Sequence, residues 1–198
     1  MVTCSELRKR ARASLDNNIF GTTWLYGIVA FFIVGFVTAI TGITFIGPLL
    51  VFGPLYVGLS KLYLGASRKN NDKNNLAVLI DGFRSNLANN ILAGLLSNIF
   101  ISLWSILFVI PGIVKSYSYS MTYYILNDHP EYTATEAITA SRKMMDGYKM
   151  KAFLLDLSFI GWNILGSLVC GIGVLWVYPY QQAARAELYE EIKRVKNL

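Results

Sequence analysis

Apolar residues run along the chain in three stretches that hold no charge at all, residues 17–60, 85–114 and 157–184. A helix needs about 20 apolar residues to cross about 30 Å of hydrocarbon. The first stretch therefore has room for two crossings, and each of the others for one long or two short ones. Breakers divide each stretch in two. Gly42 and Gly47-Pro48 split the first into 22–44 and 47–64, Pro111-Gly112 separates 87–110 from 113–127, and Cys170-Gly171-Ile172-Gly173 separates 152–169 from 172–184. Proline removes a backbone donor and clashes with the preceding turn, while glycine permits a tight reversal. The pattern predicts an all-α polytopic transmembrane helical bundle of about six membrane segments, folded as three hairpins in a single domain. The last three segments are short for a full crossing, so four spans with bent helices is the structural alternative.

Between the apolar stretches the period changes to that of amphipathic helices. In 133–147, Thr133 with Glu136 three residues later forms a capping-box pattern and Gly147 provides a stop. Ala137, Ile138, Ser141, Met144, Met145 and Tyr148 gather on one side, with Arg142 and Lys143 elsewhere. Residues 76–86 repeat the theme through Leu76, Leu79, Ile80 and Phe83, and 5–16 set Leu7, Ala11 and Leu15 opposite a basic face. Such helices lie along a membrane interface and favour anionic lipid headgroups, here through Arg8, Arg10, Arg142 and Lys143. They also serve simply to pack beneath a bundle, which is the commoner use.

Charge gives an independent test of this plan. Only 15% of residues are charged, against about 25% in soluble domains. With six crossings and an inside amino terminus, segments 1–20, 65–86, 128–151 and 185–198 each hold four basic residues, which accounts for 16 of the 18. Lys61 sits near an inner helix end, and Lys115 alone is left toward the outside. The positive-inside rule then places both termini in the cytoplasm. The net charge of +6 reflects that topology, and no aromatic-basic motif points to nucleic acid. An apolar run that continues past Val37-Thr38-Ala39 argues against cleavage there by a signal peptidase. Cys4 and Cys170 lie too far apart to suggest a disulfide framework or metal cluster, and His129 is the single histidine. There is no phosphate-binding loop, dinucleotide fingerprint, zinc-protease motif or nucleophile elbow. The expectation is a non-enzyme with no cofactor and no metal.

One polar stretch stands out, "KSYSYSMTYY" at 115–124. Its alternation suits a strand, but an isolated strand at membrane depth would leave its backbone unpaired. As a helix it places Lys115, Ser118, Tyr119 and Thr122 on one stripe. That stripe serves either as interhelical glue, with Lys115 reaching to the outer headgroups, or as part of a solute path. Asp156 is the one acid well inside an apolar segment, and Lys61 is the expected partner for an inner ion pair. Asn163 and Asn98 add polar groups toward the middle. Gly35-x-x-x-Ala39, Ala93-x-x-x-Ser97 and the Ser158/Gly161 pair suggest close helix contacts. Trp24, Tyr26, Trp162, Trp176, Tyr178 and Tyr180 resemble interfacial anchors.

The stretches "GPLYVGLSKLYLGASR", "IDGFRSN", "IPGIVKSYSYSMTYYILNDHPEYTATEAITASRKMMDGYK", "LLDLSFIGWNILG" and "GIGVLWVYPY" resemble a bacterial integral membrane family catalogued as domain of unknown function 975, found mainly in Firmicutes. The family pattern places Pro111, Gly112, Lys115, Tyr119, Glu136, Ser141, Gly161, Trp162, Pro179 and Tyr180 at matching positions. Ile80 departs from it, since Phe is more usual before Asp81-Gly82-Phe83. A more distant likeness runs to membrane domains attached to some glycerophosphodiester phosphodiesterases, although this chain has no room for their catalytic domain. The resemblance implies a multi-pass helical membrane protein and no activity. The expected role is a scaffold or accessory subunit in envelope homeostasis or export, with a membrane-protein partner or a second copy of itself beside the anionic bilayer. The alternative is a small-solute or lipid transporter that uses the Lys115 stripe.

Overall fold

The computed structural model describes residues 2–42, 47–70, 75–168 and 172–196, and all its regular elements are helices. Lys73 and the turn expected at Cys170-Gly171 lie outside the described residues. In chain order the helices are α1 (Cys4–Ser14), α2 (Thr22–Thr41), α3 (Gly47–Arg68), α4 (Val78–Arg84), α5 (Leu87–Leu107), α6 (Val109–Tyr119), α7 (Thr122–Asp128), α8 (Ala134–Met144), α9 (Lys149–Leu168) and α10 (Ile172–Lys196). Among the described residues α2, α3 and α5 are long and apolar enough to cross a membrane.

Three helix limits differ from those expected. The chain turns between α5 and α6 at Phe108, whose backbone is extended (φ −156°, ψ 130°), not at Pro111-Gly112. Pro111 instead sits in the first turn of α6, where a backbone N–H has no helical partner and its loss costs little. Gly112 lets α6 close against Ser105 of α5, where any Cβ would collide. Second, α10 does not stop near 184 but runs 25 residues through Pro179 to Lys196, so the cationic tail is helical too. Third, the single helix expected over 113–127 is broken at Ser120-Met121.

That third break explains the Ser-Tyr stretch. The Ser141 hydroxyl, arriving from α8, donates to the Ser118 carbonyl (2.9 Å) and accepts from the Met121 N–H (3.2 Å). One buried side chain thus answers both a carbonyl and an amide where the helical ladder is interrupted. The anchor is itself fixed by the formed capping box of Thr133 and Glu136, which starts α8.

At one end of the chain's fold α1, α4, α7 and the carboxyl half of α10 gather around α3, with α8 against α5 and α7. Leu7, Ala11 and Leu15 of the first segment, Leu62 and Tyr63 of α3, Met121, Met145, and Leu188 and Ile192 of α10 are all buried there. The amphipathic faces of α1 and α8 are spent in this core, with Ala137, Ile138, Ser141 and Met144 covered. Glycine makes the approach possible. Gly53 of α3 meets the Asn90 carbonyl and Gly94 of α5, while Gly58 meets Leu79 and Gly82 meets Pro54, all main chain to main chain. Ala93 and Ser97 are buried on α5, but Gly35 and Gly161 face open space and make no close helix contact. Away from this inner body the helices carry exposed apolar residues, among them Phe32, Phe36, Leu103, Ile106, Ile160 and Ile164.

Replacing Ser141 by Ala should leave two buried main-chain groups unanswered and destabilise the fold by about 1–3 kcal/mol. Denaturant unfolding in detergent micelles would measure it, and an unchanged midpoint would show that the break does not depend on this hydroxyl.

Candidate functional site

The residues of the expected stripe do not form a site together. Ser118 and Thr122 are buried, and their hydroxyls donate to the carbonyls of Val114 (2.9 Å) and Tyr119 (2.8 Å) on their own chain segment. They answer local carbonyls and not a neighbouring helix. Tyr119 is likewise buried, against Phe100. The Lys115 ammonium rests over the Trp104 ring, 4.9 Å from its centre. Arg142 and Lys149 lie close enough for their charges to act on Lys115. Asn98 donates to the Gly94 carbonyl, and half-buried Asn163 lines neither cavity described below.

The expected Lys61–Asp156 pair is not formed, because each has a nearer partner. Contact of Gly58 and Gly82 presses α4 onto α3 and brings Asp81 within 2.7 Å of Lys61. Asp156 is taken by Arg185, a residue beyond the helix end expected from sequence. Arg185 donates to both carboxylate oxygens (3.3 and 2.9 Å), and the Tyr117 hydroxyl (3.1 Å) and Gln181 amide (3.2 Å) complete the set. Of the four expected headgroup cations, Arg8 donates to the Ser158 carbonyl (3.4 Å) and Arg10 pairs with Glu191 (2.9 Å), while Arg142 and Lys143 are exposed.

The Asp156–Arg185 pair lines a crevice of about 250 Å³ between α3, α6, α7, α9 and α10, with Tyr56, Ser116, Ser120 and Gln182 also on its wall. The hydroxyl-bearing face of α6 that borders it is the one opposite the predicted stripe. A guanidinium has five donors, and the carboxylate uses only part of that capacity. The arrangement suits a small group bearing hydrogen-bond acceptors. It offers no nucleophile with an adjacent base, and among the described residues no group of His, Cys, Asp or Glu could hold a metal ion. Sequence reasoning passed over Arg185, although Gln181, Gln182 and Arg185 form a polar face at helical spacing at the end of an apolar run.

Asp128 is the second centre sequence reasoning missed, one residue past the expected 113–127 membrane segment. Ending α7, it accepts two parallel bonds from Arg68 of α3 (2.8 Å each), one from Lys193 (2.6 Å) and one from the Tyr189 hydroxyl (2.9 Å) of α10. Arg68 reaches on to Glu190 (2.8 Å). Burial pushes the Asp128 carboxyl up, but the hydrogen bonds from Arg68, Lys193 and Tyr189 outweigh it and hold it at about 2. Beside this clamp, α7, α8 and α10 border a groove of about 820 Å³ whose wall includes His129, Lys143, Lys193 and Lys196.

These features describe an all-helical protein with helices suited to a membrane and a charge-clamped body at one end. Residues 106–196 match the family model described as Protein of unknown function (DUF975). That stretch holds α6 to α10 and with them Tyr117, Asp128, Ser141, Asp156 and Arg185. No curated protein and no solved structure matches the chain.

The clamp makes stability depend on acid. A carboxyl held at about 2 in the fold, against an ordinary 3.8, contributes stability that is fully present above about pH 4 and is lost as pH falls toward 2. Thermal unfolding in detergent should show that loss, and Asp128→Asn should lower stability at pH 7 by about 2 kcal/mol and flatten the acid limb. An unchanged acid limb in the variant would assign the dependence to other carboxylates.

Proposed function

We propose that the chain is a multi-pass protein of the bacterial cytoplasmic membrane, with both termini in the cytoplasm, that acts as a non-enzymatic scaffold or accessory subunit. The observation that carries this reading is the Asp128 clamp. It joins α3, α7 and α10 through Arg68, Lys193 and Tyr189. A carrier works by moving one group of helices against another around its site. Here three of the five helices bordering the crevice are fastened together one or two turns away, and Ser118, Tyr119 and Thr122 of the stripe that a carrier would have used are buried. The inside placement follows from charge. Lys115 lies within range of the charges of Arg142 and Lys149, which supports counting it with the cations of the inside segments. A rigid cytoplasmic body on a membrane anchor suits a scaffold that holds a second membrane protein or another copy of itself.

Purification in mild detergent with native lipids should give co-elution at fixed stoichiometry with a second membrane protein or as a homo-oligomer. A monodisperse monomer that carries solute across liposomes would overturn the reading. The crevice favours one second reading, a binding site for a small polar group such as a lipid headgroup. On that reading Arg185→Gln removes a ligand-dependent rise in melting temperature, and Lys115→Gln leaves it intact.

A further inference from the structure

Hydrocarbon does not begin below the highest cations of a membrane protein, because a charge at its centre costs several kcal/mol. In this chain those cations come from several helices and contacts tie them to one level. Tyr117, two residues from Lys115 on α6, donates to Asp156 of α9 (3.1 Å), which pairs with Arg185 of α10. Two residues further along α9, the Ser158 carbonyl accepts from Arg8 of α1 (3.4 Å). Arg12 of α1 lies 5.7 Å from the centre of the Tyr180 ring, and that ring packs on Phe159 at 5.0 Å. The contacts thus bring Lys115, Asp156 and Tyr180 to about one level.

Little helix remains beyond that level. At 1.5 Å per residue, α6 rises only about 9 Å from Lys115 to Val109. On the same count α9 rises about 15 Å from Ser158 to Leu168, and α10 about 12 Å from Tyr180 to Ile172. The hydrocarbon layer is about 30 Å thick. The turn between α5 and α6 has the composition of a buried tip. Ile106, Leu107, Phe108, Val109 and Ile110 are 58–84% exposed in the chain and none is polar, whereas turns in water favour Gly, Asn, Asp and Ser. Two amides of the turn are answered, Phe108 by the Trp104 carbonyl and Gly112 by the Phe108 carbonyl, and Pro111 has no N–H to leave unpaired.

We infer that the α5–α6 and α9–α10 hairpins are re-entrant wedges that end within the bilayer, so their apolar surface is fitted to the acyl chains of the inner leaflet alone. The cations at their base meet anionic headgroups of that leaflet. Wedges confined to one leaflet add volume there and favour a membrane curved away from the cytoplasm on that side. This insertion depth rests on the inside placement of the cations proposed above, and one labelling experiment separates the two.

Single cysteines at Asn75 and Asp146 report the side, and single cysteines at Phe108 and Ile110 report the depth, all in a cysteine-free background. These four side chains are exposed in the chain, so the substitutions spare the core. With a membrane-impermeant maleimide, positions 75 and 146 should react in inverted vesicles and not in intact cells. Reaction in intact cells would overturn the placement of the cations. Positions 108 and 110 should resist the reagent from both sides and react only after detergent denaturation. Reaction at either from one side of a sealed membrane would overturn the wedge. A spin label at 110 should relax strongly with oxygen and weakly with a water-soluble nickel complex, at a depth nearer the inner headgroups than the outer. A depth at the outer headgroups would overturn the wedge even if the maleimide stayed out.

Discussion

One carboxylate, Asp128, holds together helices that are far apart in sequence. Arg68 arrives from α3 and Lys193 and Tyr189 from α10, so Asp128 fixes the carboxyl-terminal ends of these two helices relative to α7. With four bonds to its two oxygens it is well satisfied, which is the condition under which a buried charge does not weaken a fold. Around it the Tyr124 ring stacks on Tyr189 at 5.3 Å, and the Asn127 amide donates to the Val57 carbonyl (3.0 Å) and the Ser60 hydroxyl (2.9 Å). The register of α7 against α3 and α10 is thus set by polar bonds where a bundle of apolar helices would be free to slide.

Glycine and serine act on the same body in complementary ways. Gly53, Gly58, Gly82 and Gly94 remove side chains where α3 meets α4 and α5, so main chains touch and the ladder groups there are excluded from solvent. Ser141 supplies a side chain where the ladder between α6 and α7 fails. The break lets α7 turn toward the clamp while α6 stays against α5. The crevice at Asp156 opens where these redirected helices leave space beside α9 and α10. Fold and site therefore have a common origin in the interruption of one helix.

Much of this was legible in the amino-acid order. Runs without charge mark α2, α3 and α5, the described helices long and apolar enough to cross a membrane, Thr133 and Glu136 mark the start of α8, and the apolar face of α1 marks a packed surface. Periodicity reports which residues share a face, but not how far a helix continues once its face turns polar. For that reason α10 was expected to end near 184, although Ala186, Leu188 and Ile192 continue a buried face among the charges. The proline at 111 was taken for a break because its effect depends on whether it falls in a first turn or an interior one. The partners of Asp156 and Lys61 were misassigned for a related reason. Both choices rested on depth along straight, full-length spans, whereas short helices and a break bring Asp81 to Lys61 and Arg185 to Asp156. Asp128 had no periodic signal at all, since its three partners converge only through tertiary packing.

The central claim is that the Asp128 clamp, and not apolar burial alone, fixes the inner body. A double-mutant cycle of Arg68→Ala and Asp128→Ala, read by denaturant unfolding in lipid-containing micelles at pH 7, tests it most directly. The account predicts a coupling energy of about 1.5–3 kcal/mol between the two positions. Additive losses, with coupling under about 0.5 kcal/mol, would contradict it.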